Sequence, residues 1–325
     1  MSESALDPQA MRTSPVVSAH PLHTTGLPPW TAKAGPFIAL GVLALGAIYA
    51  GSAAAYVVGG WVSQLYGWRA AFVVAGLPGL LLTVIFRFTV REPERGASDN
   101  AAARTTARPS MREVLSFIFS QKALVLVVLA IASTGFSNFA FGAWQPSLLR
   151  RVYHLSGGQV GTYLGLNSFT CGLTGTLLGG FLVERVRSHD SPWFMRLPAI
   201  ATALAFPMAF AFPLVNNLTA CLVCLAASNV LLGLQIGPCF ALCQNLVKPS
   251  MRAMSAAISF VLLAVLGAGM GPLAVGFFSD ALRSRFAAAS FRYAMSGAST
   301  AYLLAAVLMA AAGQFLRDDL ARSGG

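Results

Sequence analysis

Residues 59–82 read GGWVSQLYGWRAAFVVAGLPGLLL: one apolar run ends here and a second begins after a connector that holds Gly67 and Arg69. A run of about 20 apolar residues is long enough to cross the hydrocarbon core of a bilayer as a helix. Eight such stretches occur along the chain, at 37–63, 70–90, 122–146, 159–183, 196–214, 218–245, 254–278 and 293–316. The sequence therefore predicts an all-α polytopic membrane protein with about eight transmembrane helices.

The composition points to the same fold class. Of the 325 residues, 56% are hydrophobic and only 10% are charged, whereas soluble domains carry about 25% charged residues. These figures exclude a disordered chain and a disulfide scaffold, and the long apolar runs argue against a soluble globule. All five cysteines lie inside apolar segments, where small residues pack between helices. We therefore predict no metal ion and no cofactor.

The excess of basic residues predicts the orientation in the membrane. The chain has 22 Lys and Arg residues against 11 Asp and Glu residues. In a soluble protein this balance would suggest nucleic acid as a partner, but here the basic residues lie in short connectors, where they orient a membrane protein. Sixteen of them fall on the side that holds both termini and the link 91–121, and six fall on the other side. Both termini are therefore predicted to be cytoplasmic. The predicted location is the lipid bilayer of a bacterial inner membrane, and nucleic acid is not expected as a partner.

Two parts of the chain resemble each other. Residues 59–72 contain a small residue, a bulky pair, a serine and then the dipeptide Trp68-Arg69, which opens the next helix. Residues 275–295 repeat this order and end in Phe291-Arg292. The echo suggests a parallel duplication with a period of six helices, as transporters built from repeats have.

The segment YGWRAAFVVAGLPGLLL (66–82), followed by REPERG (91–96), resembles the fifth and sixth helices of the major facilitator superfamily. Three further segments, SPWFMRLPA (191–199), IGPCFALCQNLVKPSMRAMSAAI (236–258) and GPLAVGFFSD (271–280), are similar to its spinster-like branch, which is close to organic-anion carriers. The resemblance covers roughly residues 37–316. It implies a secondary transporter that moves a small organic solute, an organic anion or a lipid-like molecule, by alternating access.

The family has twelve helices in two halves, and the chain resembles helices five to twelve, without the first four. This comparison predicts the following divisions: a disordered cytoplasmic tail (1–34), two helices of a partial N-terminal bundle (35–90), a cytoplasmic linker (91–121), a complete six-helix C-terminal bundle (122–316) and a cytoplasmic tail (317–325). Within the linker, Met111 to Gln121 has the pattern of an amphipathic helix lying at the membrane surface. The alternative to a transporter is a transport-incompetent fragment that only inserts in the membrane.

The acidic residues bear on coupling and on catalysis. All 11 lie in tails, connectors or helix ends, so no span carries the central carboxylate that a proton relay needs. Protons are a partner that the resemblance implies for an intact relative. A membrane-embedded enzyme would need a buried nucleophile, histidine or carboxylate cluster, so we predict that the chain is not an enzyme and assign no catalytic residue.

Polar side chains inside the spans are the candidates for a substrate path, because amides are costly against lipid and should face a cavity or another helix. They are Tyr49, Asn138, Trp144, Gln145, Asn167, Asn229, Gln235, Gln244 and Asn245. Tyr56 could reach the same cavity. Hydrogen bonds between helices are an equally open interpretation of each. In the segment GGFLVERVR (179–187), Glu184 and Arg185 resemble the acid and base that latch the cytoplasmic gate in the family, and ordinary interfacial charge is the alternative.

Glycines about four residues apart permit close approach between membrane helices. The candidates for helix packing are Gly51, Gly59 and Gly60 in the first span, Gly165, Gly172, Gly175, Gly179 and Gly180 in the fourth, and Gly267 and Gly271 in the seventh. The resemblance implies that the first and fourth spans pack across the interface between the halves. It also implies that the glycine face of the seventh span lacks its partner, so the chain could associate with a second copy or with a separate N-terminal piece.

Overall fold

A computed structural model describes residues 29–90, 110–185 and 193–323, and within these ranges all regular structure is helical. The α-helices are α1 (Pro29–Tyr66), α2 (Trp68–Thr89), α3 (Met111–Ser120), α4 (Lys122–Tyr153), α5 (Gly157–Asn167), α6 (Leu173–Arg185), α7 (Trp193–Ala211), α8 (Leu218–Asn245), α9 (Arg252–Leu262), α10 (Met270–Phe286), α11 (Ser290–Ala298) and α12 (Thr300–Ser323). The chain divides into two compact units, residues 1–43 and 44–325. All contacts reported below lie within the second unit.

The fold class predicted from the sequence is confirmed. Six stretches of helix in the described part of the chain are long and apolar enough to cross a membrane. The last of them, Arg252–Leu316, has 65 residues, about three times the length that one span needs. It reverses at Ala287–Ala289, a short 3₁₀ turn, after which α11 runs alongside α10. The fourth predicted span, 159–183, lies within a continuous helical run from Gly157 to Arg185 that is outside these six stretches.

Two of these helical runs contain a turn of π-helix. Ser168–Gly172 joins α5 to α6, and Leu263–Gly269 joins α9 to α10. A π-turn inserts an extra residue into the helix and rotates the side chains that follow it, and such turns are frequent at functional sites. The fourth and seventh predicted spans are therefore each one continuous helical run. In each, the π-turn changes the direction in which the following side chains point, a change of phase.

Connectors with a positive φ lie at both copies of the sequence echo. Gly67, with φ 83°, separates α1 from α2, and only glycine adopts this conformation without steric cost. Ala287, with φ 45°, ends α10 before the chain turns into α11. In both copies the aromatic-arginine dipeptide falls at the start of the following helix, as the sequence predicted.

The buried core forms two clusters that share α4, α7, α8 and α12. One cluster lies at the end where α3 docks and includes Leu124 and Met309, both fully buried. The other contains Phe141 and Tyr302, whose rings lie 6.1 Å apart. Lipid tails are as apolar as these side chains, so close van der Waals contact and hydrogen bonds between helices hold such a bundle together.

Two helix boundaries refine the predicted divisions of the chain. Helix α1 begins at Pro29, so residues 29–34 of the tail predicted to be disordered are helical; proline fits the first turn because its φ is already helical. Residues 1–28 and 91–109 lie outside the described residues. The predicted amphipathic helix is present as α3, which begins with a capping box between Ser110 and Glu113.

The glycine face of the seventh predicted span does not lack a partner, contrary to expectation. A Cβ atom on Gly271 would overlap the backbone oxygen of Phe136 in α4, and a Cβ on Gly267 would lie 3.1 Å from the carbonyl carbon of Gly135. Helix α4 therefore occupies the close approach that these glycines permit. The predicted vacancy was wrong because it did not consider α4 as a partner for this face.

Helix α2 contrasts with the rest of the bundle. None of its residues is buried, and large side chains such as Phe72, Leu80 and Phe88 are 74%, 70% and 82% exposed. In a bilayer, such a surface faces either lipid or another helix.

Candidate functional site

A cavity of about 170 Å³ lies in the middle of the bundle and contains four of the predicted substrate-path residues. Its polar lining consists of Tyr56, Asn138, Gln145, Asn167, Ser168, Ser228, Asn229 and Tyr302. These side chains come from α1, α4, α5, the following π-turn, α8 and α12. No charged side chain of the described residues lines it, so the cavity offers amides and hydroxyls to a solute.

Hydrogen bonds between helices position the amides of this cavity. Asn229 of α8 donates from Nδ2 to Oδ1 of Asn167 in α5. The hydroxyl group of Tyr302 in α12 donates to Oδ1 of Asn138 in α4, at 2.7 Å. The two alternatives left open by the sequence thus coincide, because the same amides line a cavity and join helices. Asn167 Nδ2 and Asn138 Nδ2 are not used in these two hydrogen bonds.

The π-turn that begins at Ser168 adds a hydroxyl to the cavity wall. Asn167 is the last residue of α5 and Ser168 the first residue of the π-turn, and both line the cavity. Consecutive residues of a regular helix point about 100° apart. The π-turn after Asn167 therefore lies directly at the cavity, and such turns are frequent at functional sites.

The remaining predicted residues lie elsewhere. Trp144 donates from Nε1 to the backbone oxygen of Pro272 at 3.0 Å and lines a separate cavity. Gln235 is buried, accepts a hydrogen bond from Thr202 Oγ1 at 3.1 Å and lines a third cavity, of about 240 Å³. The structure does not bring these two residues into the central cavity.

Two residues near the end of α8 and one tyrosine of α1 also lie away from the central cavity. The backbone oxygen of Gln244 accepts a hydrogen bond from Arg252 Nε, and the side chain of Asn245 is exposed. The hydroxyl group of Tyr49 shares a hydrogen bond of 2.6 Å with Thr176 Oγ1 in α6. The side chain of Tyr49 therefore joins α1 to α6, whereas the side chain of Tyr56 lines the central cavity.

A seam of small residues brings α1 against α5 and α6. A Cβ atom on Gly60 would lie 2.6 Å from the backbone oxygen of Gly157, and one on Gly165 would lie 2.7 Å from Val57 Cγ2. Trp61 Nε1 donates to Thr162 Oγ1 at 3.1 Å, and the amide of Gly158 donates to Gln64 Oε1 at 2.7 Å. Backbones this close exclude lipid from the seam and allow polar side chains to pair across it.

Other predicted glycines divide into packed and unpacked positions. Gly172 is covered by the ring of Tyr49, and Gly175 and Gly179 approach the backbone of α8 at Val230 and Leu234. By contrast, a Cβ atom on Gly51, Gly59 or Gly180 would meet no atom within 4 Å. The glycine pattern thus marks two seams, one with α1 and one with α8.

Of the gate pair, only the arginine side chain is described. The guanidinium group of Arg185 lies 4.5 Å from the centre of the Phe181 ring, one turn earlier in α6. The side chain of Glu184 lies outside the described residues. In the part of the chain that is described, no group of three His, Cys, Asp or Glu side chains could hold a metal ion.

Sequence reasoning missed three residues of the central cavity, Ser168, Ser228 and Tyr302. Ser228 precedes Asn229, and its hydroxyl group is satisfied within α8 by the backbone oxygen of Leu225 at 2.9 Å. Tyr302 is fully buried. A tyrosine this far inside an apolar span needs a partner for its hydroxyl group, and that requirement was the available signal.

Comparisons with known proteins agree on one family. The Major Facilitator Superfamily matches residues 38–272. An MFS-type efflux pump of Mycolicibacterium smegmatis is 28% identical over 236 residues, which are 73% of this chain and 54% of that protein. A probable sphingolipid transporter, spinster homolog 1 of Arabidopsis thaliana, is 26% identical over 247 residues, which are 68% of this chain and 49% of that protein.

A solved structure has the same fold. It is the crystal structure of a bacterial homolog of the human lysosomal transporter spinster in an inward-facing, unoccupied conformation. The TM-score is 0.65 at 23% sequence identity, and the match covers 80% of this chain and 63% of that one. Spinster homologues are thus among the proteins to which this chain is similar, as the sequence predicted. The chain spans about half the length of the curated relatives it matches.

Proposed function

Because the chain belongs to the major facilitator superfamily, we propose that it takes part in moving a small organic solute across the membrane by alternating access, with the central cavity as part of the substrate path. The solute class is an organic anion or a lipid-like molecule. The convergence of four predicted amide side chains on one cavity is the observation that carries this proposal. In this proposal the chain acts as a transporter and not as an enzyme.

The chemistry of the cavity supports a solute with hydroxyl, amide or carbonyl groups. Amides both donate and accept hydrogen bonds, whereas hydroxyl groups can rotate to do either. Tyr56 and Tyr302 add apolar ring surface to the same wall. Since a probable sphingolipid transporter is among the similar proteins, an amphiphile whose polar head lies beside the hydrogen-bonded pair Asn167 and Asn229 is one solute that this lining accommodates.

The seam between α1 and the run 157–185 supports the movement. In the proposal, α1 and α5 rock against each other along the seam that contains Gly60 and Gly161. At these two glycines the backbones of α1 and α5 meet directly, without a side chain between them. Arg185, together with Glu184, is proposed as a latch at the cytoplasmic end, and protons as the coupling ion remain a proposal for the complete transporter.

Uptake into proteoliposomes tests the proposal. The purified chain is reconstituted, and radiolabelled organic anions and lysolipids are offered with and without a pH gradient. The variant Asn229→Ala should abolish any uptake that the wild-type chain supports, because it removes one wall of the cavity and the partner of Asn167. Asn245→Ala is the matched control, since it removes the same side chain from the exposed end of the same helix. Equal loss in both variants, or none in either, would refute the assignment of the cavity.

The second candidate, insertion without transport, is favoured by one observation: no residue of α2 is buried. Under this alternative, the exposed surface of α2 packs against helices that another chain supplies. Co-reconstitution with the first four helices of the M. smegmatis pump separates the two functions. Uptake that requires the added helices would identify this chain as the partner of an N-terminal piece, whereas uptake by the chain alone would exclude the second candidate.

A further inference from the structure

We propose that a second cavity, at the end of the bundle opposite to α3, is a binding site for an anionic group, a phosphate or a carboxylate. The cavity has a volume of about 450 Å³ and is distinct from the central cavity. Its lining includes Arg151 and Arg283, together with Asp280, Ser279, Ser290 and Phe291. The proposal concerns binding only, so it stands whether or not the chain transports a solute.

The position of this cavity follows from α4. Helix α3 docks beside Lys122, where α4 begins, and Arg151 lies near Tyr153, where α4 ends. The helix has 32 residues, so these ends are about 48 Å apart at a rise of 1.5 Å per residue. That length exceeds the hydrocarbon core of a bilayer, and the cavity therefore lies at the level of the lipid headgroups or the adjoining water.

The charges in this cavity favour an anion. Two guanidinium groups and one carboxylate line it, which leaves a net positive charge. No ion pair joins Arg151, Arg283 and Asp280 among the described residues, so both arginines have N–H groups free for a ligand. Arginine binds phosphate and carboxylate through paired, charge-assisted hydrogen bonds.

The walls of the cavity are fixed in place. Trp144 is held by its hydrogen bond to the backbone of Pro272 and meets Phe291 edge to face at 5.5 Å. The guanidinium group of Arg151 lies 5.3 Å from the centre of the same Phe291 ring, a cation–π contact that orients it. Gly276 lies beside Trp144, and a Cβ atom at this position would be in van der Waals contact with the indole, at 3.7 Å.

The polar floor of the cavity selects the form of the ligand. Ser279 and Ser290 can donate hydrogen bonds to the remaining oxygens of a phosphate, whereas the carboxylate of Asp280 lowers the net positive charge that the two arginines give the cavity. The aromatic wall suits an apolar body attached to the anionic group. A monoester or a carboxylate with a ring or a chain next to the charge fits these features, and it could come from water or from a lipid headgroup.

Binding of phenyl phosphate to the chain in nanodiscs tests the proposal. The discs contain only phosphatidylcholine, and binding is measured by equilibrium dialysis with radiolabelled ligand. The double variant Arg151→Gln, Arg283→Gln should weaken binding about tenfold or more, as expected when charge-assisted hydrogen bonds are lost. The control is Arg150→Gln, Arg285→Gln, which removes the same charge from neighbouring positions outside the cavity and should bind like the wild-type chain.

Further arms identify the source of the ligand and guard against misfolding. Adding phosphatidylglycerol to the discs should displace phenyl phosphate if a headgroup occupies the cavity, and should leave its affinity unchanged if the site serves solutes from water. Size-exclusion profiles verify that both variants are folded. Absence of binding by the wild-type chain, or equal weakening in the two double variants, would overturn the proposal.

Discussion

Asn229 donates a hydrogen bond from its side-chain nitrogen to the side-chain oxygen of Asn167, and this bond joins α8 to the end of α5 at the wall of the central cavity. The two residues are 62 positions apart in the sequence. Because Asn167 is followed directly by a π-turn, the bond fixes α8 to the point where the fourth predicted span changes phase. A movement of this span relative to α8 would have to break the hydrogen bond between the two asparagines, or α8 would have to move with the span.

The asparagine pair should show a measurable coupling energy. We expect Asn167→Ala and Asn229→Ala each to lower the free energy of unfolding by about 1 kcal/mol, a typical value for a hydrogen bond between membrane helices. In the double variant the losses should be less than additive, since either change already breaks the bond. Unfolding in bicelles with increasing detergent denaturant measures all three. Fully additive losses would contradict a direct bond.

The seam between α1 and α5 should not tolerate a methyl group at Gly161. A Cβ atom there would overlap the backbone oxygen of Tyr56, so neither neighbour can yield by a side-chain rotation. We expect Gly161→Ala to lower the free energy of unfolding by about 1–3 kcal/mol, the usual cost of overpacking.

Gly180→Ala provides the opposite result in the same helical run. A Cβ atom on Gly180 meets nothing within 4 Å, so the change should be neutral or stabilising by up to about 1 kcal/mol through helix propensity. Thermal unfolding of both variants in detergent measures the difference. Equal effects at the two positions would show that the seam does not contribute to stability.

The sequence predicted the helices well because their cause is local. Each apolar run must form its backbone hydrogen bonds internally to enter lipid, so length and composition are enough to find it. The turn at Gly67 and the capping box at Ser110 are local too, and both lie where the sequence pattern marks a helix boundary.

Which residues line the central cavity depends on how each helix is rotated about its axis, and the sequence alone does not determine this rotation. Trp144 and Gln145 are adjacent, yet they line different cavities, because successive helical residues point about 100° apart. The pairing of Gly271 with α4 is another such case. Which face meets which neighbour is decided by the whole bundle, and apolar composition alone gives no preferred direction in lipid.

Arg292 should be a main anchor between α11 and the connector that joins α7 to α8. Its guanidinium group donates to the backbone oxygens of Pro213 at 2.6 Å and Val215 at 2.9 Å, and to Asn216 Oδ1 at 2.8 Å. We expect Arg292→Gln to lower the free energy of unfolding by about 2–4 kcal/mol, since hydrogen bonds from charged groups are the stronger ones.

A conservative change at Arg292 distinguishes geometry from charge. Lys keeps the positive charge but lacks the planar fork that reaches three acceptors, so Arg292→Lys should retain only part of the stability. Arg285→Gln is the control for loss of charge, because Arg285 is exposed in the last turn of α10 and takes no part in the hydrogen bonds of Arg292. If Lys restored full stability in the same thermal unfolding measurement, the three-way geometry would be irrelevant.

The orientation proposed from the basic residues can be read from the two ends of the bundle. Ser110 precedes α3, and Ser284 lies near the end of α10, beside the cavity that contains Arg283. In a variant with the five cysteines replaced, Ser284→Cys should react with a membrane-impermeant maleimide in intact cells. Ser110→Cys should react only after the membrane is permeabilised, because the basic residues near α3 are expected to remain in the cytoplasm. The reverse pattern would place both termini outside and contradict the predicted orientation.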